Sequence, residues 1–290
     1  MIVITGATGQ LGSRIVQRLL ERVPAETVGV SVRDVGRAAA LAARGVRVRT
    51  GDFTDAAGLE RAFEGADRVL VVSAAIRGDG ALAANRAAID AARAAGAERV
   101  LYTSHQAASR HSLFAPQAVH AAVEEHLAQQ GAAFTALRNG FYASALGFHV
   151  GGALATGRLA VPQDGPVSWT AHDDLADAAV AALVDDGVLD GVTAPLTAPE
   201  ALDVEAVAAL LTEITGRTVT RVVVGDEEWR AAAIARGVPA EAAEFTLGMF
   251  RAARRGEFAV TDPTLEAVIG RPATSARSVL ETIASGRRAA

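Results

Sequence analysis

The sequence predicts an α/β fold, a doubly wound parallel sheet with a smaller, mainly helical α/β C-terminal region. Three observations carry this reading. Over residues 1–140, short apolar runs alternate with helix-period segments, the pattern of consecutive βαβ units. A glycine-rich turn at 6–12 follows the first apolar run directly and opens the first helix. No internal repeat or low-complexity linker divides the 290 residues, so the second region is expected to pack tightly against the first.

Taken in order, residues 1–5 read as the first strand and 10–22 as an amphipathic helix that ends near Pro24. Strand 27–32, helix 36–44, strand 46–49, helix 55–63 and strand 68–72 follow. An alanine-rich helix at 80–95, a strand at 99–103, a helix at 115–130 and a strand at 134–138 complete six strands joined by crossover helices. Beyond Asn139-Gly140 the rhythm weakens. The run 147–157 is rich in glycine, 162–166 is turn-rich, and 173–184 reads as a helix with acidic residues at its start. Residues 189–196 suit a strand returning to the main sheet. Helices at 204–215 and 227–236 flank a strand at 218–224, and the remainder is mostly helical. The expected division is a nucleotide-binding domain over 1–142 and a substrate-binding region over 143–290, partly interleaved with it and covering the edge where ligands bind in such sheets.

Composition excludes several chemistries. All 28 cationic side chains are arginine, so a Schiff-base lysine, a P-loop lysine and a Tyr-x-x-x-Lys pair are impossible. The absence of cysteine removes thiolate catalysis, disulfides and zinc-thiolate sites. A net charge of −5 does not suggest a nucleic-acid surface, and Arg251, Arg254 and Arg255 read as a solvated helix face. No apolar run approaches the roughly 20 residues needed to span a bilayer. The chain enters an apolar strand at once, so neither a signal peptide nor membrane association is expected, and the expected location is cytoplasmic. No metal is expected, because His105, His111, His126, His149 and His172 lack ligand spacing. His172-Asp173-Asp174 reads as helix capping.

The loop Gly6-Ala7-Thr8-Gly9-Gln10-Leu11-Gly12 has the spacing G-x-x-G-x-x-G between a strand and a helix. Glycines there let backbone approach a pyrophosphate, while the helix N-terminus offers unpaired N–H groups and partial positive charge. This is the cofactor site of a Rossmann-type NAD(P)-binding domain, with Gly6, Thr8, Gly9, Gln10, Leu11 and Gly12 as its first candidates. The second strand ends at Val32-Arg33-Asp34. Arg33 suits a 2′-phosphate and favours NADP, while Asp34 leaves NAD open. Asp52 and Phe53, after Gly51, lie where an adenine would rest. Ser73, Ala74 and Ala75 supply small residues beside the cofactor's path.

Together with Tyr102-Thr103-Ser104 and Leu137-Arg138-Asn139-Gly140-Phe141-Tyr142, these segments resemble the NmrA-like atypical short-chain dehydrogenase/reductases, and most of all their bacterial NAD(P)H:quinone oxidoreductases of type 2. The resemblance implies NADPH along the N-terminal sheet, with Ser104 and His120 among its contacts, and a quinone or related aromatic small molecule beneath the C-terminal region. That family tolerates loss of the Tyr-x-x-x-Lys pair, and here Gln106 and Leu146 stand four residues after the two tyrosines. Where many of its members carry a lysine on the helix after the fifth strand, this chain has His120. The segment 106–117 departs from the quinone reductases and is expected to line the cleft.

Hydride transfer to a quinone demands alignment more than strong acid catalysis. The candidate donors are Tyr142, His120 and Asn139, and Glu124, one helical turn from His120, is placed to orient its imidazole. Two alternatives stand beside quinone reduction, a non-catalytic redox sensor as the resemblance to NmrA-type regulators implies, and a tailoring enzyme acting on an aromatic polyketide. A homodimer is left open.

Overall fold

A computed structural model describes residues 1–286 except 75, 77 and 79. The first half runs β1 (Ile2–Thr5), α1 (Gln10–Leu19), β2 (Val28–Val32), α2 (Ala39–Ala43), β3 (Arg47–Thr50), α3 (Ala56–Phe63), β4 (Arg68–Val71), α4 (Gly80–Ala94), β5 (Arg99–His105), α5 (Ala115–Gln129) and β6 (Phe134–Asn139). The second half runs β7 (Phe141–Tyr142), α6 (Leu146–Thr156), β8 (Arg158–Pro162), β9 (Trp169–Thr170), α7 (His172–Val184), β10 (Gly191–Val192), α8 (Val204–Thr215), β11 (Thr220–Val224), α9 (Asp226–Ala235), α10 (Ala240–Arg254), α11 (Thr264–Ile269) and α12 (Ala276–Ala284).

Seven parallel strands form the main sheet in the order β10-β6-β5-β4-β1-β2-β3. The order reverses between β1 and β4, the switch point at which such sheets open a crevice. Strands buried on both faces need apolar residues at nearly every position, and β2 (VGVSV) is buried throughout. On one face α1, α7 and α11 pack around Ile4, Ile15, Leu19 and Leu175. On the other, α3, α4 and α5 enclose Phe63, Ile89, Tyr102 and Leu127. A third cluster, around Trp169, Leu211, Phe250 and Phe258, holds the C-terminal region together.

The sequence reading holds for the six N-terminal strands, with local differences. Residues 35–38 form a tight 3-10 turn before a short α2, because Asp34 caps the turn by accepting from the Gly36 N–H at 2.9 Å. The return strand shrinks to two residues of β10, paired with β6 and followed by a bridge between Asn139 and Leu196. The glycine-rich run 147–157 is largely helical, because Leu146, Val150 and Ala153 bury one side of α6 and outweigh the poor propensity of its glycines. Of the two small parallel sheets, the one pairing β8 with β11 uses the strand expected at 218–224, whereas β8 itself and the pair β7 with β9 have no counterpart in the sequence pattern. Among the described residues no helix is long and apolar enough to cross a membrane.

Candidate functional site

The C-terminal ends of β1, β4, β5 and β6 line one edge of the sheet, and most of the sequence-selected residues sit there. The glycine turn is built for close approach. Gly6 has φ +64°, a conformation L side chains rarely adopt, and its carbonyl accepts from the Gly9 N–H at 2.9 Å. A Cβ on Gly12 would lie 2.2 Å from the Gly6 oxygen. Gly9 caps α1 without a side-chain hydrogen bond, and the first turn of α1 holds no acid. Its N–H groups therefore face outward beside exposed Gly6, Gly9 and Gln10 and partly buried Thr8, whereas the Leu11 side chain is core. At the switch point the Thr5 hydroxyl receives the Val72 N–H at 2.9 Å, fixing β1 against β4.

Arg33 is exposed just beyond β2, and the carboxyl of Asp34 is turned back onto Gly36. Asp52 closes a turn by accepting from the Thr54 hydroxyl at 2.6 Å and the Thr54 N–H at 2.8 Å. Those bonds, reinforced by the nearby Arg33 guanidinium, hold its carboxyl below the usual carboxylate range. Phe53 packs against the cluster around Leu59 and Phe63. The Ser73 N–H donates to Thr103 Oγ1 at 2.8 Å and the Ala74 N–H to Asn85 Oδ1 at 3.0 Å, so side chains rigidify the backbone after β4. Ala75 lies outside the described residues.

Around β5 and α5 the side chains pair differently from expectation. Glu124 does not orient His120. Its carboxylate takes a two-pronged ion pair from Arg138, at 2.9 and 2.7 Å, and the Ser104 hydroxyl at 2.6 Å. The reason is strength of pairing: a planar guanidinium from the neighbouring strand matches a carboxylate better than an imidazole on the same helix. The Ser104 hydroxyl is thereby committed to Glu124. The partner of His120 is Tyr102, whose hydroxyl lies 2.9 Å from Nδ1, and burial lowers the His120 pKa to about 4 and raises that of Tyr102. Replacing Glu124 by alanine strands Arg138, and the expected cost is about 2–3 kcal/mol, below the value for a fully desolvated pair because Arg138 keeps some exposure. Urea titration measures it, and a loss under about 0.5 kcal/mol, typical of a surface site, would contradict the pairing.

The loop after β6 is clipped from three directions. The Gly140 N–H donates to the Leu196 oxygen at 2.8 Å, the Phe141 N–H to Gln106 Oε1 at 3.1 Å, and a Cβ on Gly140 would stand 2.1 Å from Thr170 Oγ1. This fixes Asn139 and Tyr142. Burial raises the Tyr142 pKa, offset in part by the hydrogen bond from the Asn139 amide. Asn139 Oδ1, fully buried, has no partner among the described residues. The Tyr142 ring packs on His172 with centroids 4.3 Å apart. His172 is not a cap. Ala171 occupies that position, and Asp174 instead receives the Thr274 N–H at 2.6 Å and pairs with Arg271 at 2.7 Å, tying down the chain after α11. In the 106–117 segment, Arg110 and His111 are exposed, with Arg110 paired to Glu125. His105 and Gln117, at the two ends of this stretch, bond to each other at 2.8 Å, an association that no sequence spacing announced.

A cradle that excludes a Cβ, an uncapped helix N-terminus and an exposed arginine beyond β2 fit a dinucleotide phosphate and ribose. Fold and site together define a Rossmann-type dinucleotide-binding protein. The chain belongs to the NmrA-like family, whose pattern matches residues 1–282. It is similar to quinone oxidoreductase 2 of Escherichia coli, 33% identical over 95% of this chain and 96% of that one. The structure of an NADPH-dependent quinone oxidoreductase from the same organism, complexed with NADPH, superposes with a TM-score of 0.90 at 32% identity, covering 96% of this chain and 98% of that one. A Citrobacter triphenylmethane reductase complexed with NADP(H) gives a TM-score of 0.90 at 30% identity, covering 98% of this chain and 99% of that one.

Proposed function

We propose that this chain is an NAD(P)H-dependent oxidoreductase that transfers hydride to a quinone or a related polycyclic aromatic carbonyl compound, with NADPH as its preferred reductant. The observation that carries the reading is one sheet edge holding both the glycine cradle and a set of uncharged polar groups, Tyr142, His120 and Asn139, with no ammonium group among them. Bound NADPH supplies the hydride. The chain's own residues bind and orient: Gly6, Thr8, Gly9, Gln10 and Gly12 at the pyrophosphate, Arg33 at the 2′-phosphate, and Asp52, Phe53, Ser73 and Ala74 along the adenosine side.

The Asn139 side chain holds the Tyr142 hydroxyl beside it, and that hydroxyl is placed to meet an acceptor oxygen. Asn139 Oδ1, without a partner among the described residues, suits an N–H donor such as a carboxamide. His120, anchored through Nδ1, offers Nε2 as a second uncharged donor. Such donors stabilise an oxygen that gains charge without supplying a strong acid, which is sufficient where an aromatising ring spreads that charge. In this reading residues 1–142 bind the cofactor and carry the donors, and 143–290 complete the acceptor-binding region over them.

The test is NADPH oxidation with benzoquinone and naphthoquinone acceptors. A non-catalytic sensor would bind NADPH and oxidise none of it, and that result across a broad acceptor panel overturns the reading. Replacing Arg33 by alanine is expected to weaken NADPH binding about tenfold, the lower end for a charge-assisted bond at an exposed site, while NADH binding changes little. Fluorescence titration with both cofactors measures this, and equal loss for the two contradicts 2′-phosphate recognition by Arg33.

A further inference from the structure

We propose that His105 recognises the carbonyl oxygen of the acceptor through a hydrogen bond donated by its Nε2–H, with Gln117 as the positioning residue that fixes the hydrogen on that nitrogen. The proposal rests on the reading of the acceptor as a carbonyl compound. It concerns a residue at the end of β5, directly before the 106–117 segment, to which no role has been assigned.

His105 is the last residue of β5 and stands in register with Asn139, so it shares the edge that carries the other donors. Its Nδ1 faces two N–H groups, the Gln117 side-chain amide at 2.8 Å and the Ala107 backbone at 3.3 Å. The backbone N–H is a donor in any assignment, so Nδ1 accepts and the ring hydrogen resides on Nε2. Gln117, fully buried, must then present its NH2 to His105, which leaves its Oε1 without a partner among the described residues. That orphan oxygen is the cost of holding the imidazole in this tautomer. Nε2 itself has no partner among the described residues, and the ring is only partly buried.

The ring cannot readily swing away. Phe141 and Phe258 meet it edge-on with centroids 5.4 and 5.8 Å distant, and His120 lies alongside at 6.2 Å. Burial and the neighbouring His120 hold the His105 pKa well below its ordinary value, so the donor is uncharged at neutral pH. A fixed, uncharged N–H among aromatic walls suits the oxygen of a flat aromatic carbonyl compound. The bond strengthens as that oxygen gains negative charge.

Two measurements test this on the full chain. Long-range 1H–15N NMR of histidine-labelled protein, with His105 assigned by its loss in a His105→Gln variant, is expected to show the Nε2–H tautomer. An Nδ1–H tautomer overturns the proposal. In the kinetic arm, His105→Leu is expected to lower kcat/KM for a naphthoquinone about tenfold while NADPH affinity stays within about twofold, and His105→Gln, whose amide nitrogen reaches the Nε2 position, is expected to recover most of that loss. Equal loss in both variants, or no loss in the leucine variant beside an active wild type, refutes the role of His105 alone. A wild type that reduces no quinone refutes the acceptor reading and this proposal with it. For Gln117, the Gln117→Glu variant places an acceptor opposite Nδ1. It is expected to move the hydrogen there and to reproduce the leucine variant's kinetic loss, and an unchanged tautomer removes Gln117 from the positioning role.

Discussion

Replacing Gly12 by alanine is expected to weaken NADPH binding by about five- to 150-fold, although alanine is the better helix former by about 1 kcal/mol. The new Cβ would stand 2.2 Å from the Gly6 oxygen, 2.7 Å from the Gly6 carbonyl carbon and 3.1 Å from the Ala7 nitrogen. All three are backbone atoms, so no rotamer change relieves the contact, and the turn must move away from the helix. Overpacking of this kind costs about 1–3 kcal/mol. A turn that relaxes outward in the free protein must be forced back for the phosphate to bind, and this converts the strain into the stated loss of affinity. Gly9 is the control. Its Cβ would lie 3.2 Å from the same oxygen, so Gly9→Ala is expected to cost less at this contact. Fluorescence titration of NADPH checks the order, and equal affinities for the wild type and Gly12→Ala would remove the cradle from the cofactor site.

The contrast between these glycines explains why the cradle is legible in the sequence. Each G of the motif answers a backbone requirement between residues close in the chain, so spacing alone specifies it. The same holds for the strand order, since apolar runs and crossover helices leave few topologies. Glu124 shows where spacing fails. Four residues place it and His120 on one helix face, but that fact cannot rank His120 against Arg138 on β6 and Ser104 on β5, whose closeness is a product of the sheet. His105 with Gln117, and Gly140 against Thr170, are likewise long-range meetings with no periodic signal. The helix α6 escapes a sequence reading for the opposite reason: local glycine content argues against it, and packing of Leu146, Val150 and Ala153 prevails.

Acidification is expected to unfold this protein well before its carboxylates are exhausted, because several histidines are held uncharged by the fold. Burial lowers His120, His149 and His172 to about 4, with Arg14 adding to the effect at His172, and drives His105 well below its ordinary value. In the unfolded chain each titrates near 6.5. Between these limits the unfolded state binds more protons than the folded one, so stability is complete above about pH 6.5 and declines as the pH falls towards about 4. Each tenfold difference in proton affinity between the two states is worth about 1.4 kcal/mol, and allowing for the partial exposure of His120 and His149, the three histidines held near 4 contribute about 1–2 kcal/mol each, with His105 acting in the same direction. Together these groups approach the lower end of the 5–15 kcal/mol that holds a typical domain together. Asp164 opposes the trend, since burial raises its pKa and the folded state takes up its proton more readily, but it is one group against four. Urea titrations at pH 7.5 and 5.0 are therefore expected to differ by several kcal/mol, and equal stabilities would refute the assignment. His149→Gln provides the decisive comparison. His149 packs against Phe250 of the C-terminal cluster and is none of the residues assigned to the cofactor or the acceptor, so its replacement should flatten the pH dependence by about one histidine's share while NADPH affinity at pH 7.5 is retained.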